Sequence, residues 1–158
     1  PHLVWGGVPV GGDIATLLDD DARMQAQAAE KGSIIMLLAT DAPLDARQLK
    51  RLALRAAAGL ARTGSVYGHG SGDIALAFST AYTLPHLAET PMPQVAMVHE
   101  TLMDGLFVAA ADAVEQAIVH ALWHAEPVQG RNGHSRPCIR ELLSRLRAPA
   151  VPSPDSRS

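Results

Sequence analysis

The sequence predicts an α/β fold, and three observations predict it. Ser33–Ala39 is an unbroken apolar run, the pattern of a strand covered on both faces. A helix-spaced apolar series follows: Leu49, Leu52, Ala53, Ala56 and Leu60, with Arg47, Lys50, Arg51 and Arg55 elsewhere on the cylinder. A second apolar strand, Asp73–Ser79, and a second long helix, from about Met103 to Ala125, repeat the alternation. The bulk figures agree. At 158 residues, 47% hydrophobic and 18% charged, the chain fits one domain with a core and not a disordered segment.

Taken in order, Leu3-Val4-Trp5 and Val8-Pro9-Val10 flank Gly6-Gly7, which predicts strand, tight turn and strand. Asp13–Leu18 opens a short helix. Asp19–Lys31 is polar and Ala/Gln-rich without an apolar stripe, and reads as a mobile connector. After the Ser33 strand, Thr40–Leu44 is a turn. Asp45 then stands as a helix N-cap, with Gln48 three residues on completing a capping box. That helix ends near Thr63-Gly64. Gly64–Gly72 holds four glycines and leads straight into the second strand. A loop with Pro85, Pro91 and Pro93 precedes the long helix, whose stripe is Leu106, Phe107, Ala110, Val114, Ala117, Ile118, Ala121 and Leu122. Asn132-Gly133 between Val128 and Cys138 signals a β-hairpin. From about Arg147 the chain is rich in Pro, Ser and Arg, as in a frayed tail.

Composition narrows the function classes. The longest strongly apolar run, Ile34–Ala39, is far too short to span a bilayer, so no membrane partner is expected. A net charge of −3 offers no basic field for nucleic acid. The single Cys138 excludes an internal disulfide and leans the expectation toward the cytoplasm, with the periplasm as the alternative. The chain opens at Pro1, without Met, in what reads as the middle of a strand, so a fragment or processed product is expected.

Four constellations carry possible chemistry. In the first, Gly32-Ser33 opens a buried strand. A serine whose α-amine becomes free can use that amine, with its near-neutral pKa, as its own base during acyl attack. Making that terminus requires Ser33 to attack the preceding carbonyl, and Gly32 lacks the Cβ that would obstruct the approach. Read alone, the pair is more simply a turn serine capping a strand. The second is Tyr67-Gly68-His69-Gly70-Ser71-Gly72-Asp73. Its glycines, Gly70 and Gly72 among them, let backbone N–H groups approach a ligand or a developing oxyanion. Ser71 and Asp73, two apart at a strand entry, point to one side and could hold a neighbouring hydroxyl or ammonium. A plain glycine-rich turn is the simpler alternative. It is no dinucleotide or Walker loop, because it precedes a strand and lacks the Lys-Ser/Thr ending.

The third constellation is the histidines. His120 and His124 are four apart on one helix, a metal-ligand spacing, but no Glu stands between them, and a surface pair is the expected reading with no metal. The fourth, a Ser-His-Asp triad built on Ser65 or Ser71, lacks the Gly-x-Ser-x-Gly elbow between strand and helix.

From Ser33 onward the text resembles one family. Gly32-Ser33-Ile34-Ile35-Met36-Leu37-Leu38-Ala39-Thr40-Asp41-Ala42-Pro43-Leu44, Gln48–Ala53, Gly59–Ser65, Gly70–Ile74 and Ala77–Thr80 look like the L-aminopeptidase D-Ala-esterase/amidase family, the DmpA-type β-aminopeptidases. Gly130–His134 is similar to that family's closing hairpin. The resemblance implies a four-layer α/β/β/α sandwich like that of the Ntn (N-terminal-nucleophile) hydrolases with different connectivity, of which this chain supplies part. It implies a precursor that cuts itself between Gly32 and Ser33, residues 1–32 ending the α-chain portion and 33–158 forming the β-chain portion. Ser33 falls on the nucleophile, Ser71 on a second active-site serine, and Asp73 on an acidic position that is often Glu. The family's tyrosine and asparagine of the oxyanion site would lie upstream of residue 1, with Gly7–Gly11 matching a family stretch.

The leading expectation is an aminopeptidase acting on N-terminal residues of short peptides, amides and esters, without a cofactor. Its partners would be the α-chain portion of the same precursor and further copies of the αβ unit in a homo-oligomer. An acyltransferase resembling ornithine acetyltransferase is the alternative, disfavoured because that family uses Thr where position 33 is Ser. An inactive subunit lacking the upstream residues is the third reading.

Overall fold

The computed structural model describes residues 2–22, 32–87 and 94–147. Gly6 and Gly7, at φ 55° and 81°, turn strand β1 (Val4–Trp5) back into β2 (Val8–Pro9), as the sequence predicts. Helix α1 (Gly11–Ala22) runs four residues beyond the expected Leu18, so the start of the supposed connector is helical. The rest of that connector lies outside the described residues. Strand β3 (Ile35–Thr40), helices α2 (Ala46–Ala53) and α3 (Ala56–Arg62), and strand β4 (Ile74–Ser79) come next. A 3-10 turn at Glu100–Leu102 leads into α4 (Met103–His124). The hairpin β5 (Val128–Gln129) and β6 (Ser135–Arg136) turns on Asn132 and Gly133, both at positive φ, and α5 (Ile139–Arg147) closes the described chain. The sequence reading missed α5, although Leu142, Leu143 and Leu146 form a short helical stripe. The supposed tail beyond Arg147 lies outside the described residues.

Two units result. One holds β1, β2, α1 and the chain from Val119 through α5; the other runs from β3 to Ile118 of α4. In the first, Ile14 of α1 packs with Ile139, Leu142 and Leu143 of α5, joined by Leu3, Val10, Leu18 and Leu122. Trp5 stacks obliquely on Trp123, with ring centroids 5.9 Å apart.

The second unit is a βαβ element. β3 and β4 pair parallel and in register from Ile35 opposite Ile74 to Thr40 opposite Ser79. The single helix expected over residues 45–63 is two, α2 and α3, broken at Leu54-Arg55. Its start is as expected: Asp45 accepts from Gln48 N–H at 2.6 Å while the Gln48 side chain accepts from Asp45 N–H at 3.2 Å. Met36 and Leu38, on one face of β3, meet Leu52, Ala56 and Leu60 of α2 and α3 and Met103, Phe107, Ala110 and Val114 of α4. Among the described residues the opposite face is bare. Ile35 is 76% exposed and Leu37 62%, beside Ile74, Leu76 and Phe78. Coverage on both faces, expected from the unbroken apolar run, therefore does not occur among these residues. The run alternates because pleating sends successive side chains to opposite sides.

By length and composition Glu100–His124 would suffice to cross a bilayer, although it holds no unbroken apolar run of that length. Here Met103, Phe107, Ala110, Ala111 and Val114 face the core while Asp104, Asp112, Gln116 and His120 face outward. The α3–α4 contact leaves no room at Gly59, where a Cβ would lie 2.4 Å from the Ala111 carbonyl oxygen and 2.8 Å from Val114 Cβ. Glu100 ties α2 to the approach of α4. Its carboxylate receives Arg47, Arg51 and the buried Gln48, whose amide also donates to Val98 O at 2.8 Å. Arg51 and Arg55 lie over the Phe107 ring, 5.0 and 4.2 Å from its centroid.

Two predictions follow from this packing. Gly59→Ala should lose about 1–3 kcal/mol in urea denaturation, the range for overpacking a close helix contact. The hydrogen bond from Arg47, with help from Gln48 and Arg51, holds the Glu100 carboxyl below its ordinary pKa. A depressed folded-state pKa means the unfolded chain takes up the proton first. Stability from this clamp is therefore complete above the ordinary carboxylate value and is lost as pH falls through the lower, folded one. Thermal unfolding followed against pH should show an acid-side loss that is shallower in Glu100→Gln.

Candidate active site

Parallel pairing brings the two strand entries side by side. Ile74 N–H donates to Ile34 O at 2.9 Å, one step before the ladder proper, so Gly32-Ser33 and Ser71-Gly72-Asp73 lie abreast although 39 residues apart. Gly72 N–H donates to Ser33 Oγ at 3.0 Å. Asp73 Oδ1 accepts from Ile34 N–H at 3.0 Å and from the Ser71 hydroxyl at 2.6 Å. Ser71 Oγ also lies 3.2 Å from the carbonyl oxygen of Gly32, the carbonyl that precedes Ser33. Ser71 has one proton for these two acceptors. The carboxylate, at the shorter distance, is the nearer of the two.

Each position has a local cause. Ser71 and Asp73 share a side because residues two apart in an extended chain do so. Ser71 is set by a turn in which its N–H donates to Gly68 O at 2.9 Å. Gly72 brings bare backbone to the Ser33 hydroxyl; its N–H makes the contact and a Cβ there would stand 3.8 Å from Ser33 Oγ, an ordinary distance. The Asp73 carboxylate completes the hydrogen bonding of β3, because it caps the Ile34 N–H before the first ladder pair.

Gly32, Ser33, Ser71 and Asp73 line a cleft of about 600 Å³ with Ile34, Leu60, Ser65, Val66 and His69. Ser33 and Gly72 are exposed; Ser71 and Asp73 are half-buried. The structure thus brings together Gly32, Ser33, Ser71, Gly72 and Asp73, and places Gly70 on the cleft wall. Sequence reading missed Leu60 and Val66 as wall residues, since an apolar side chain in a helix or loop gives no signal of facing a cleft. His120 and His124 sit edge to face, with ring centroids 6.1 Å apart. Among the described residues no cluster of three or more His, Cys, Asp or Glu side chains is arranged to hold a metal ion.

The βαβ element thus sets a serine hydroxyl, a second hydroxyl and a carboxylate together at the entries of its two parallel strands. The chain belongs to peptidase family S58, which matches residues 1–136. It is 39% identical over 143 residues to the beta-peptidyl aminopeptidase BapA of Sphingosinicella microcystinivorans, covering 85% of this chain and 36% of that protein. The crystal structure of the L-aminopeptidase D-Ala-esterase/amidase from Ochrobactrum anthropi, described as a new variant among the Ntn hydrolase fold, superposes with a TM-score of 0.71 at 37% identity. That match covers 92% of this chain and 40% of the other. A Burkholderia sp. beta-aminopeptidase gives the same TM-score at 38% identity, again over 92% and 40%. The fold is therefore that Ntn variant, and the chain spans well under half the length of these relatives.

The two loads on Asp73 can be separated experimentally. Asp73→Ala should speed amide hydrogen exchange at Ile34 by at least about tenfold, by removing the acceptor of that N–H. Ser71→Ala should leave Ile34 protected, and NMR-detected exchange distinguishes the two.

Proposed function

We propose that this chain carries the nucleophilic portion of a self-cleaving serine aminopeptidase, with Ser33 as nucleophile. The observation that carries the reading is the placement of the Ser71 hydroxyl 3.2 Å from the Gly32 carbonyl oxygen while Gly72 N–H fixes Ser33 Oγ on the other side of the same peptide bond. In maturation, Ser33 Oγ attacks the Gly32 carbonyl carbon, and Ser71 donates to the oxygen as it becomes an oxyanion. Collapse breaks the C–N bond, transfers the proton to the Ser33 nitrogen, and leaves Gly32 esterified to Oγ. Water then hydrolyses the ester, releasing a Gly32 carboxylate and a free Ser33 α-amine.

In turnover the same hydroxyl attacks the carbonyl of a substrate's N-terminal residue. The freed amine takes the Oγ proton and passes it to the leaving amine, and water hydrolyses the acyl-enzyme. Asp73, joined to Ser71 and to the Ile34 N–H next to the cut, orients the new terminus in this reading. Among the described residues no imidazole hydrogen-bonds to Ser33 Oγ, which favours the amine as base over a Ser–His pair. The relatives named as aminopeptidases support short peptides, amides and esters as the substrate class. The apolar face of β3 and β4, bare among the described residues, supports an α-chain portion of the same precursor as its cover; a homo-oligomer of αβ units is part of the same reading.

Ser33→Ala in the full-length protein should block both steps, leaving one uncut chain by mass spectrometry and no hydrolysis of peptide amides. Ser71→Ala should slow turnover by at least about tenfold, the scale of one positioned donor. A Ser33→Ala protein that still yields a chain beginning at residue 33, or still turns over substrate, would remove Ser33 from the nucleophile's role.

A further inference from the structure

The cleft around Ser33 holds one ionisable side chain that this chemistry leaves unused. Of the side chains lining it, only Asp73 and His69 ionise, and Asp73 Oδ1 is already taken by Ile34 N–H and the Ser71 hydroxyl. His69 makes no side-chain hydrogen bond or ion pair among the described residues, and it is exposed on the wall. An imidazole has an N–H to donate in either protonation state. Ser65, which also lines the cleft, adds a hydroxyl donor, while Ile34, Leu60 and Val66 supply apolar surface.

The cleft among the described residues has the size of a small ligand site. About 600 Å³ suits a small-molecule ligand or a peptide of very few residues. In so short a peptide the C-terminal carboxylate stays within the cleft that holds the scissile bond; in a long chain it lies outside. A carboxylate is the acceptor that a free imidazole and a hydroxyl lining one cleft recognise best, because both bonds to it are charge-assisted.

Resting on the reading of Ser33 as a hydrolytic nucleophile, we propose that His69 is a specificity-determining residue that donates to the free C-terminal carboxylate of short peptide substrates. The site then prefers a dipeptide to the corresponding dipeptide amide. Steady-state kinetics of the full-length mature enzyme on that pair tests it, in the wild type, His69→Leu and His69→Arg. The wild type should favour the dipeptide. His69→Leu should cut the dipeptide-to-amide ratio of kcat/KM about tenfold, through a higher KM for the dipeptide, and His69→Arg should restore it. Equal efficiency on both substrates in the wild type overturns the proposal without any variant. So does a His69→Leu enzyme whose ratio is unchanged, or which loses both activities in the same proportion. An active Ser33→Ala enzyme would instead sink the hydrolytic reading beneath it, a result the His69 ratio cannot mimic.

Discussion

Everything at this site depends on the parallel, in-register pairing of β3 with β4. Antiparallel strands would set the entry of one beside the exit of the other. Only the parallel arrangement sets two entries together, and it requires a crossover of the length that α2 and α3 supply. Ser33 and the Ser71–Asp73 group are therefore products of topology before they are products of side-chain chemistry. The crossover is in turn held down by Met36 and Leu38 on the inner face of β3 against α2, α3 and α4. Close helix approach at Gly59 and the Glu100 clamp fix that layer. Packing remote from the cleft thus sets the register on which a 3.0 Å contact at Ser33 depends.

The carboxylate of Asp73 shows how economically that register is used. Its one oxygen ends the hydrogen bonding of β3 at Ile34 and orients the Ser71 hydroxyl. A group that closes a strand and also holds the Ser71 hydroxyl ties two local features to one atom, so removing it should disturb the strand entry as well as the placement of Ser71. Ser71 differs. Its contacts are to Asp73 and to the Gly32 oxygen, neither of which is a ladder bond, so its loss bears on the chemistry more than on the fold.

How much of this the sequence disclosed varies with the physical signal. The capping box at Asp45 and Gln48, the Gly6-Gly7 turn and the Asn132-Gly133 hairpin were legible, because each rests on local hydrogen bonding or on backbone conformations that few residues adopt. The break at Leu54-Arg55 was not. Neither residue is a helix breaker, and the division is set by how α2 and α3 each meet the core. Helix α5 was overlooked because its short stripe sits in a polar, Arg-rich stretch that resembles the tail beyond it. The apolar run of β3 correctly announced a strand but not which of its faces these residues cover. Ser33, Ser71 and Asp73 were singled out largely through family resemblance; spacing alone could not distinguish them from turn residues, since their meeting depends on a pairing 39 residues apart.

The proposed cut falls at a point the fold can tolerate. The ladder begins at Ile35 opposite Ile74, and the Ile34 carbonyl and N–H are both engaged, by Ile74 and Asp73. Breaking the Gly32–Ser33 bond removes no ladder hydrogen bond and leaves Ser33 one residue from a strand paired with β4. Had the bond lain deeper in β3, its cleavage would have cost strand pairing. Had it lain several residues earlier, the new terminus would have been free to fray. The Gly72 N–H contact to Ser33 Oγ involves only residues after the proposed cut, so a cut there would not itself remove it. The geometry that positions the hydroxyl for its own peptide bond can therefore persist to position it for a substrate.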